Sequence, residues 1–366
     1  MLARWLFSSL GLPLKTWALF AELVLAGTFV VIVGARLTRQ ADAICDVYHL
    51  GRAWVGMLLL ATITSLPEVA AGTSAVVLDQ VNLAFGNILG SCCFNIAIIV
   101  LLDAVSRRGA VLERAQPLQQ RNAVLSLLLL AGLLGGINAV WLMADRPAAA
   151  ALAEAGLAGA IAVGYLWCMR TVYRAQHGLG HSPLQRCPVG AASATVSGPS
   201  GLLGRFVLTA CLIVALSTWL TATGDVLSEH PIHLAGRTFR LGGTFVGFLF
   251  IAAATSLPEV VTCTEAVRIG QLEMALGNIF GSNMFNIFIM PMLKLVGLIV
   301  GVPVLVLSPG FELVKHDAAG GLAIVLTVIT LVTLCFGCRR MFGRFGLDSI
   351  LICLAYLAGM YLVFTL

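Results

Sequence analysis

Two glutamates stand where an apolar chain has least reason to place them. Glu68 and Glu259 each close the pentapeptide Thr-Ser-Leu-Pro-Glu, at 64–68 and again at 255–259, inside long aliphatic runs. A carboxylate in hydrocarbon costs at least about 2.5 kcal/mol unless partners or water receive it, and a duplicated cost implies a duplicated use. Each glutamate follows a proline, Pro67 or Pro258. Proline lacks an N–H and clashes with the carbonyl four residues back, so the carbonyls near Ile63 and Ala254 are expected to lose their helical partners. Freed backbone oxygen in a membrane survives only where it is re-satisfied or lines a cavity. Thr64 and Thr255 lie one helical turn before the glutamates, which would set hydroxyl and carboxylate on one face of a helix that continued through the break.

The polar pattern extends further. Asn87, Ser91 and Asn95 recur as Asn278, Ser282 and Asn286, each set spaced i, i+4, i+8 as a stripe along one helical face. Gly86 and Gly90, and Gly277 and Gly281, lie beside the stripes and let another helix approach. Taken singly, a buried glutamate reads as an interhelical hydrogen bond, a proline as a kink and a glycine pair as packing. What outweighs those plain readings is that all of them recur together. The inventory is carboxylates, hydroxyls, amide oxygens and freed carbonyls, without histidine or a thiolate centre. These are hard oxygen donors, suited to Ca²⁺ or Na⁺ and unsuited to zinc or copper. Two carboxylates neutralise one Ca²⁺, while Na⁺ can use the same oxygens in smaller groups, so the two ions would compete for one place.

The elements that carry this pattern are themselves duplicated. Residues 61–96 and 252–287 align without a gap at an offset of 191, and 20 of 36 positions are identical, the signature of an internal repeat. The 366-residue chain is 59% hydrophobic and 11% charged, with a mean hydropathy of +0.98; soluble domains carry about 25% charged residues. The reading is an all-α integral membrane protein whose surroundings are the lipid bilayer. At about 20 apolar residues per crossing, ten transmembrane helices are expected near 17–35, 53–78, 82–105, 122–142, 149–170, 205–223, 242–268, 272–298, 318–337 and 347–366. The segment 298–310 reads either as a tail of the eighth span or as a re-entrant piece. The long polar gap at 174–204 is expected to be a cytoplasmic linker between a first five-helix repeat, 1–173, and a second, 205–366.

Charge orients the chain. The net charge of +5 comes from residues scattered over short loops, not from a patch that would suit nucleic acid. The first, third and fifth loops hold Arg36, Arg39, Arg52, Arg107, Arg108, Arg114, Arg121, Arg170, Arg174, Arg186 and Arg205, while the second has no basic residue and the fourth only Arg146. The ninth, with Arg339, Arg340 and Arg344, agrees. By the positive-inside rule both termini face outward, in what is read as a cell (inner) membrane. Five crossings is an odd number, so the second repeat enters inverted and the two Thr-Ser-Leu-Pro-Glu stretches approach one another near the midplane, an arrangement of secondary transporters.

At these residues the chain resembles the sodium/calcium exchangers of the cation/calcium exchanger superfamily, whose paired repeats carry Gly-Thr-Ser-Leu-Pro-Glu and Gly-Asn-x-x-Gly-Ser-Asn motifs. The resemblance implies a Na⁺/Ca²⁺ antiporter working by alternating access, not an enzyme and without a resident cofactor, with Glu68 and Glu259 as central calcium ligands. It implies further Na⁺ and Ca²⁺ ligation by Thr64, Ser65, Ser91 and Asn95, by Thr255, Ser256, Ser282 and Asn286, and by the Ala61 and Ala252 carbonyls. The sequence departs from the family pattern in places. Ile63 and Ala254 stand where glycine is usual, Cys92 replaces an asparagine, and Asn286 stands where potassium-dependent relatives carry aspartate, which argues against potassium co-transport. The linker is too short for the calcium-sensing domains of animal exchangers.

The alternative within the class is proton-coupled Ca²⁺ exchange. Gly198, Pro199, Ser200 and Gly201 match a serine-protease pattern, but they end a polar linker; a channel is the third reading. Cys335 and Cys338 form a lone CxxC without a second pair for zinc. Met1–Pro13 weakly resembles a signal peptide and is kept as an N-terminal segment. Glu22, Glu265 and Asp103 have no symmetric carboxylate; the first two are expected at interfaces or snorkelling, and Asp103 in solvent.

Overall fold

A computed structural model describes residues 16–106, 109–178, 199–234, 237–240, 252–304, 311–337, 341–342 and 345–366. The described residues are mostly helical, and among them nine helices are long and apolar enough to cross a membrane. We label them α1 (Thr16–Tyr48), α2 (Arg52–Val77), α3 (Val81–Val105), α4 (Pro117–Trp141), α5 (Pro147–Gly178), α6 (Pro199–Glu229), α8 (Leu272–Val300), α9 (Leu313–Phe336) and α10 (Leu347–Thr365), with α7 denoting the shorter Leu257–Arg268. The seventh expected span, 242–268, lies partly outside the described residues; from Ala252 onward it is helical up to Arg268 apart from a turn at Ser256. Two short antiparallel hairpins complete the fold, Pro231–Leu234 with Arg237–Arg240 and Met341–Phe342 with Phe345–Gly346.

The helices sort by what they touch. The second and third spans of each copy, α2 with α3 and α7 with α8, pack against each other and across the copies, α8 lying on both α2 and α3. The first spans of the two copies, α1 and α6, run together along one side, joined by Leu19, Leu23, Ala26 and Val30 against Leu220 and Leu227. Helices α4, α5, α9 and α10 close the other side. Lipid is as apolar as leucine, so close packing and interhelical hydrogen bonds must hold such helices together. The glycines of α8 supply that closeness. A Cβ on Gly277 would lie 2.4 Å from the Ala53 carbonyl oxygen, and one on Gly281 2.4 Å from that of Met57. Gly56 on α2 answers from the other side, where a Cβ would lie 2.2 Å from the Met274 carbonyl oxygen. Gly56–Leu60 forms a π turn, a distortion that recurs at functional sites.

Several expectations change. Helix α1 does not end near residue 35 but continues to Tyr48, because Leu37, Ala41, Ile44 and Cys45 keep a buried stripe beyond the apolar run. Arg36 and Arg39 are therefore helical. Likewise α5 runs on to Gly178 and α6 begins at Pro199, so the polar gap narrows to 179–198, outside the described residues. The Cys338 half of the CxxC and the loop arginines 107, 108, 186, 339, 340 and 344 also lie outside them, as do the side chains at 199–200. The tail reading of 298–310 holds through Val300; there Gly301, in the left-handed region at φ 77°, ends α8, and Val302 N–H bonds the Gly297 carbonyl.

Asp103 is not in solvent. It is fully buried, and its carboxylate accepts from Val111 N–H at 2.7 Å, Gly346 N–H at 3.3 Å and the Ser349 hydroxyl at 2.6 Å, tying α3 to α10. The repeat offset puts Lys294 at the matching place on α8, where its ammonium pairs with the fully buried Glu154 of α5 and reaches the Val304 carbonyl at 3.3 Å. Each copy thus fastens its third helix to the last helix of the other copy, once with a carboxylate on neutral donors and once with an ion pair. Removing one member of a buried pair strands the other charge, at about 3–5 kcal/mol. We therefore expect Lys294→Met to lower the detergent-solubilised midpoint of unfolding strongly and Lys294→Met with Glu154→Leu to recover most of the loss, measured by thermal denaturation.

Candidate functional site

The break in α2 starts with proline. Pro67 and Pro258 stand in the first turns of Leu66–Val77 and Leu257–Arg268, the one place in a helix where a missing N–H costs nothing. Ser65 (φ −94°, ψ 6°) and Ser256 (φ −92°, ψ 16°) leave helical geometry to make room. Each glutamate falls in the first turn of the new segment, where the positive end of the helix favours a carboxylate. The Ile63 carbonyl, expected to be freed, is instead taken by a backbone N–H of the tightened turn. The Ala61 carbonyl accepts Ser65 N–H at 3.1 Å and the Thr64 hydroxyl at 3.4 Å; the Ala252 carbonyl accepts Ser256 N–H at 3.2 Å and the Thr255 hydroxyl at 3.0 Å. The turn is therefore bound up by the hydroxyls that flank it.

The two breaks meet. Glu68 is 3% exposed and Glu259 2%. The Ser65 hydroxyl donates to Glu259 Oε1 at 3.2 Å, across 194 residues of chain. The Thr64 hydroxyl bonds the Ala61 carbonyl of its own turn, since the turn at Ser65 interrupts the helix before Glu68. From the stripes, Asn95 donates to the Asn283 amide oxygen at 3.0 Å. Among the described residues, Glu68 Oε2, Glu259 Oε2, Asn95 Oδ1, Ser282 Oγ and both amide atoms of Asn286 are buried with no hydrogen-bond partner. Unsatisfied buried polar atoms are rare and each needs a reason. Others lie elsewhere, on Gln40, Asn122, Ser217, Thr221 and Tyr356, but these six sit on residues that the repeat singles out.

The stripes are not equal. Asn278 is buried and donates to the Thr262 hydroxyl at 2.8 Å and to Cys263 Sγ at 3.2 Å. In the first copy those positions are Ala71 and Gly72, so Asn87 has no such partners, and it is only partly buried. Glu22 and Glu265 take the interface positions expected of them. Glu22 bonds Trp219 and Thr223 of α6, and Glu265 pairs with Arg39 of α1 at 2.7 Å. Glu154 and Lys294 were not singled out by sequence reasoning; the offset of 191, which maps Lys294 onto Asp103, is the one signal that would have found either.

Comparison with known proteins follows from this geometry. The sodium/calcium exchanger protein family model matches residues 18–169 and 202–365. The chain belongs to that family. Membership makes it a multi-pass cation/Ca²⁺ antiporter. It is similar to the inner membrane protein YrbG of Escherichia coli (29% identity, covering 80% of this chain and 81% of that one) and to the putative antiporter CaxA of Alkalimonas amylolytica (26%, covering 93% and 98%). It is also similar to the sodium/calcium exchanger MaX1 of Methanosarcina acetivorans (25%, covering 74% and 80%). Among solved structures, the sodium/calcium exchanger from Methanococcus jannaschii shares the fold at a TM-score of 0.62 and 17% identity, over 94% of this exchanger and 98% of that one.

Proposed function

We propose that this exchanger carries Ca²⁺ in one direction against Na⁺ in the other by alternating access around a single cation site. The observation that carries the reading is the pair of buried carboxylates at the breaks of α2 and α7, each with one oxygen that finds no partner among the described residues. Two like charges in a low-dielectric interior repel, and a divalent cation between them relieves both the repulsion and the unmet hydrogen bonding. Glu68 and Glu259 supply the charge. Thr64, Ser65, Ser91 and Asn95, with Thr255, Ser256, Ser282 and Asn286, supply neutral oxygens, and the Ala61 and Ala252 carbonyls have further oxygen at the turns. Several Na⁺ ions sharing those oxygens in subsets would displace one Ca²⁺, because both ions need the same carboxylates. MaX1, named a sodium/calcium exchanger, supports sodium as the counter-ion.

Two five-helix repeats, 1–173 and 205–366, joined by a cytoplasmic linker, would place the broken helices in opposite senses. The arginine-bearing odd loops would then set both termini outside a cell membrane. Rocking of one repeat against the other opens the shared site to one side at a time. The rival is proton coupling, since a buried carboxylate can also carry a proton. Calcium flux into proteoliposomes under sodium, potassium and proton gradients, imposed one at a time, separates them. The outward sodium gradient alone is expected to drive uptake; uptake on a pH gradient without sodium would overturn the sodium assignment.

A further inference from the structure

We infer that Asn283 is a positioning residue that sets which end of the Asn95 amide faces the cation, and that its repeat mate Cys92 leaves Asn286 unrestrained. The inference rests on the reading of Asn95 and Asn286 as cation ligands. An asparagine side chain offers a carbonyl oxygen and an NH₂ of nearly the same size, and only the oxygen can ligate a cation. Where the amide turns freely, binding must first select the productive orientation. Where a neighbour holds the NH₂, the oxygen is already presented.

The two copies differ in this respect. Residues 92 and 283 are related by the offset of 191, and Asn283 bonds the stripe asparagine of the opposite copy. In one direction, Asn95 Nδ2 donates to Asn283 Oδ1 at 3.0 Å, with both residues 1% exposed. That bond occupies the nitrogen end and leaves Asn95 Oδ1, like Asn283 Nδ2, buried without a partner; the Asn95 oxygen is the atom a cation would take. In the other direction, the position that matches Asn283 holds the fully buried thiol of Cys92, whose sulfur lies 3.9 Å from the Asn283 carbonyl oxygen. A thiol is a weak donor and a weak acceptor, and neither the oxygen nor the nitrogen of the Asn286 amide has a partner among the described residues. The same ligand type is therefore presented twice with unequal preorganisation, although the charges at Glu68 and Glu259 are equivalent. The cation favours the carbonyl-inward orientation of both asparagines, and the protein favours it only at Asn95.

The test is the calcium dependence of sodium-driven uptake in proteoliposomes, with KM and Vmax read separately. Asn283→Cys, which copies the first repeat into the second, should raise the KM for Ca²⁺ by about threefold to tenfold with Vmax retained, the size of one neutral hydrogen bond. Asn283→Ser, too short to reach Asn95, should do the same and guards against a packing fault peculiar to the thiol. The exchange of positions, Asn283→Cys with Cys92→Asn, should bring KM back to within about twofold of the parent, since one stripe asparagine is again held. An unchanged KM in both single variants, a fall in Vmax at constant KM, or a double variant no better than Asn283→Cys would overturn the inference. Glu68→Gln serves as the reference. Loss of calcium binding there with normal KM in the Asn283 variants removes this inference alone, whereas calcium binding that survives Glu68→Gln removes the site reading on which it depends.

Discussion

Glu68→Gln and Glu259→Gln should each abolish calcium transport while leaving the protein folded and inserted. Glutamine keeps the shape of the side chain and removes its charge. The site holds two buried carboxylates that face no cationic side chain in the hydrogen bonds and ion pairs of the described residues. Losing one leaves a single negative charge to meet a divalent cation with its water removed. Truncating one member of a buried charge pair costs about 2–5 kcal/mol, or roughly thirtyfold to several thousandfold in affinity. The variants also relieve the mutual repulsion of the two carboxylates, so their thermal stability without cation should equal or exceed that of the parent. Uptake into proteoliposomes together with thermal denaturation checks both halves. A pair of variants that transport normally would show that the carboxylates are structural.

The second large effect is expected at a residue without a side chain. Gly281→Ala would put a methyl carbon 2.4 Å from the Met57 carbonyl oxygen and 2.9 Å from the Ala61 side chain, closer than atoms can approach. The Met57 obstacle is backbone, which cannot rotate out of the way. Overpacking of this kind costs about 1–3 kcal/mol or more. Since α8 carries Ser282 and Asn286, any shift that relieves the clash moves two candidate ligands away from the α2 break. We expect both the unfolding midpoint and the calcium affinity to fall. Gly132→Ala, on the exposed side of α4 with nothing within 4 Å, should change neither. Gly86 and Gly90 do not provide the same test, because their counterparts of Ala53 and Met57 are Thr244 and Phe248, outside the described residues.

What the sequence disclosed and what it hid divide along a physical line. The glutamates, their prolines, the stripes and nearly all the crossings were legible because each is a local matter of composition, spacing and an uninterrupted apolar run. The offset of 191 added the relation between copies. Contacts that depend on how two distant helices lie against one another were not legible. The bond from Ser65 to Glu259 could not be read off either copy, because it depends on how the two breaks lie against each other. Asp103 looked like a solvated span end, since nothing local reveals that the start of α10 folds over it. The Lys294–Glu154 pair joins residues 140 positions apart, and neither has a matching charge of the same sign in the other copy. Helix α1 was read too short because arginines at 36 and 39 resemble a loop, whereas the buried stripe through Cys45 continues the helix.

If the two copies build one cation site and not two, equilibrium binding of ⁴⁵Ca²⁺ to the purified exchanger in detergent will show one Ca²⁺ per chain, displaced by Na⁺ in competition and lost in Glu68→Gln and in Glu259→Gln alike. Two ions per chain, with each substitution removing one and sparing the other, would mean two separate sites.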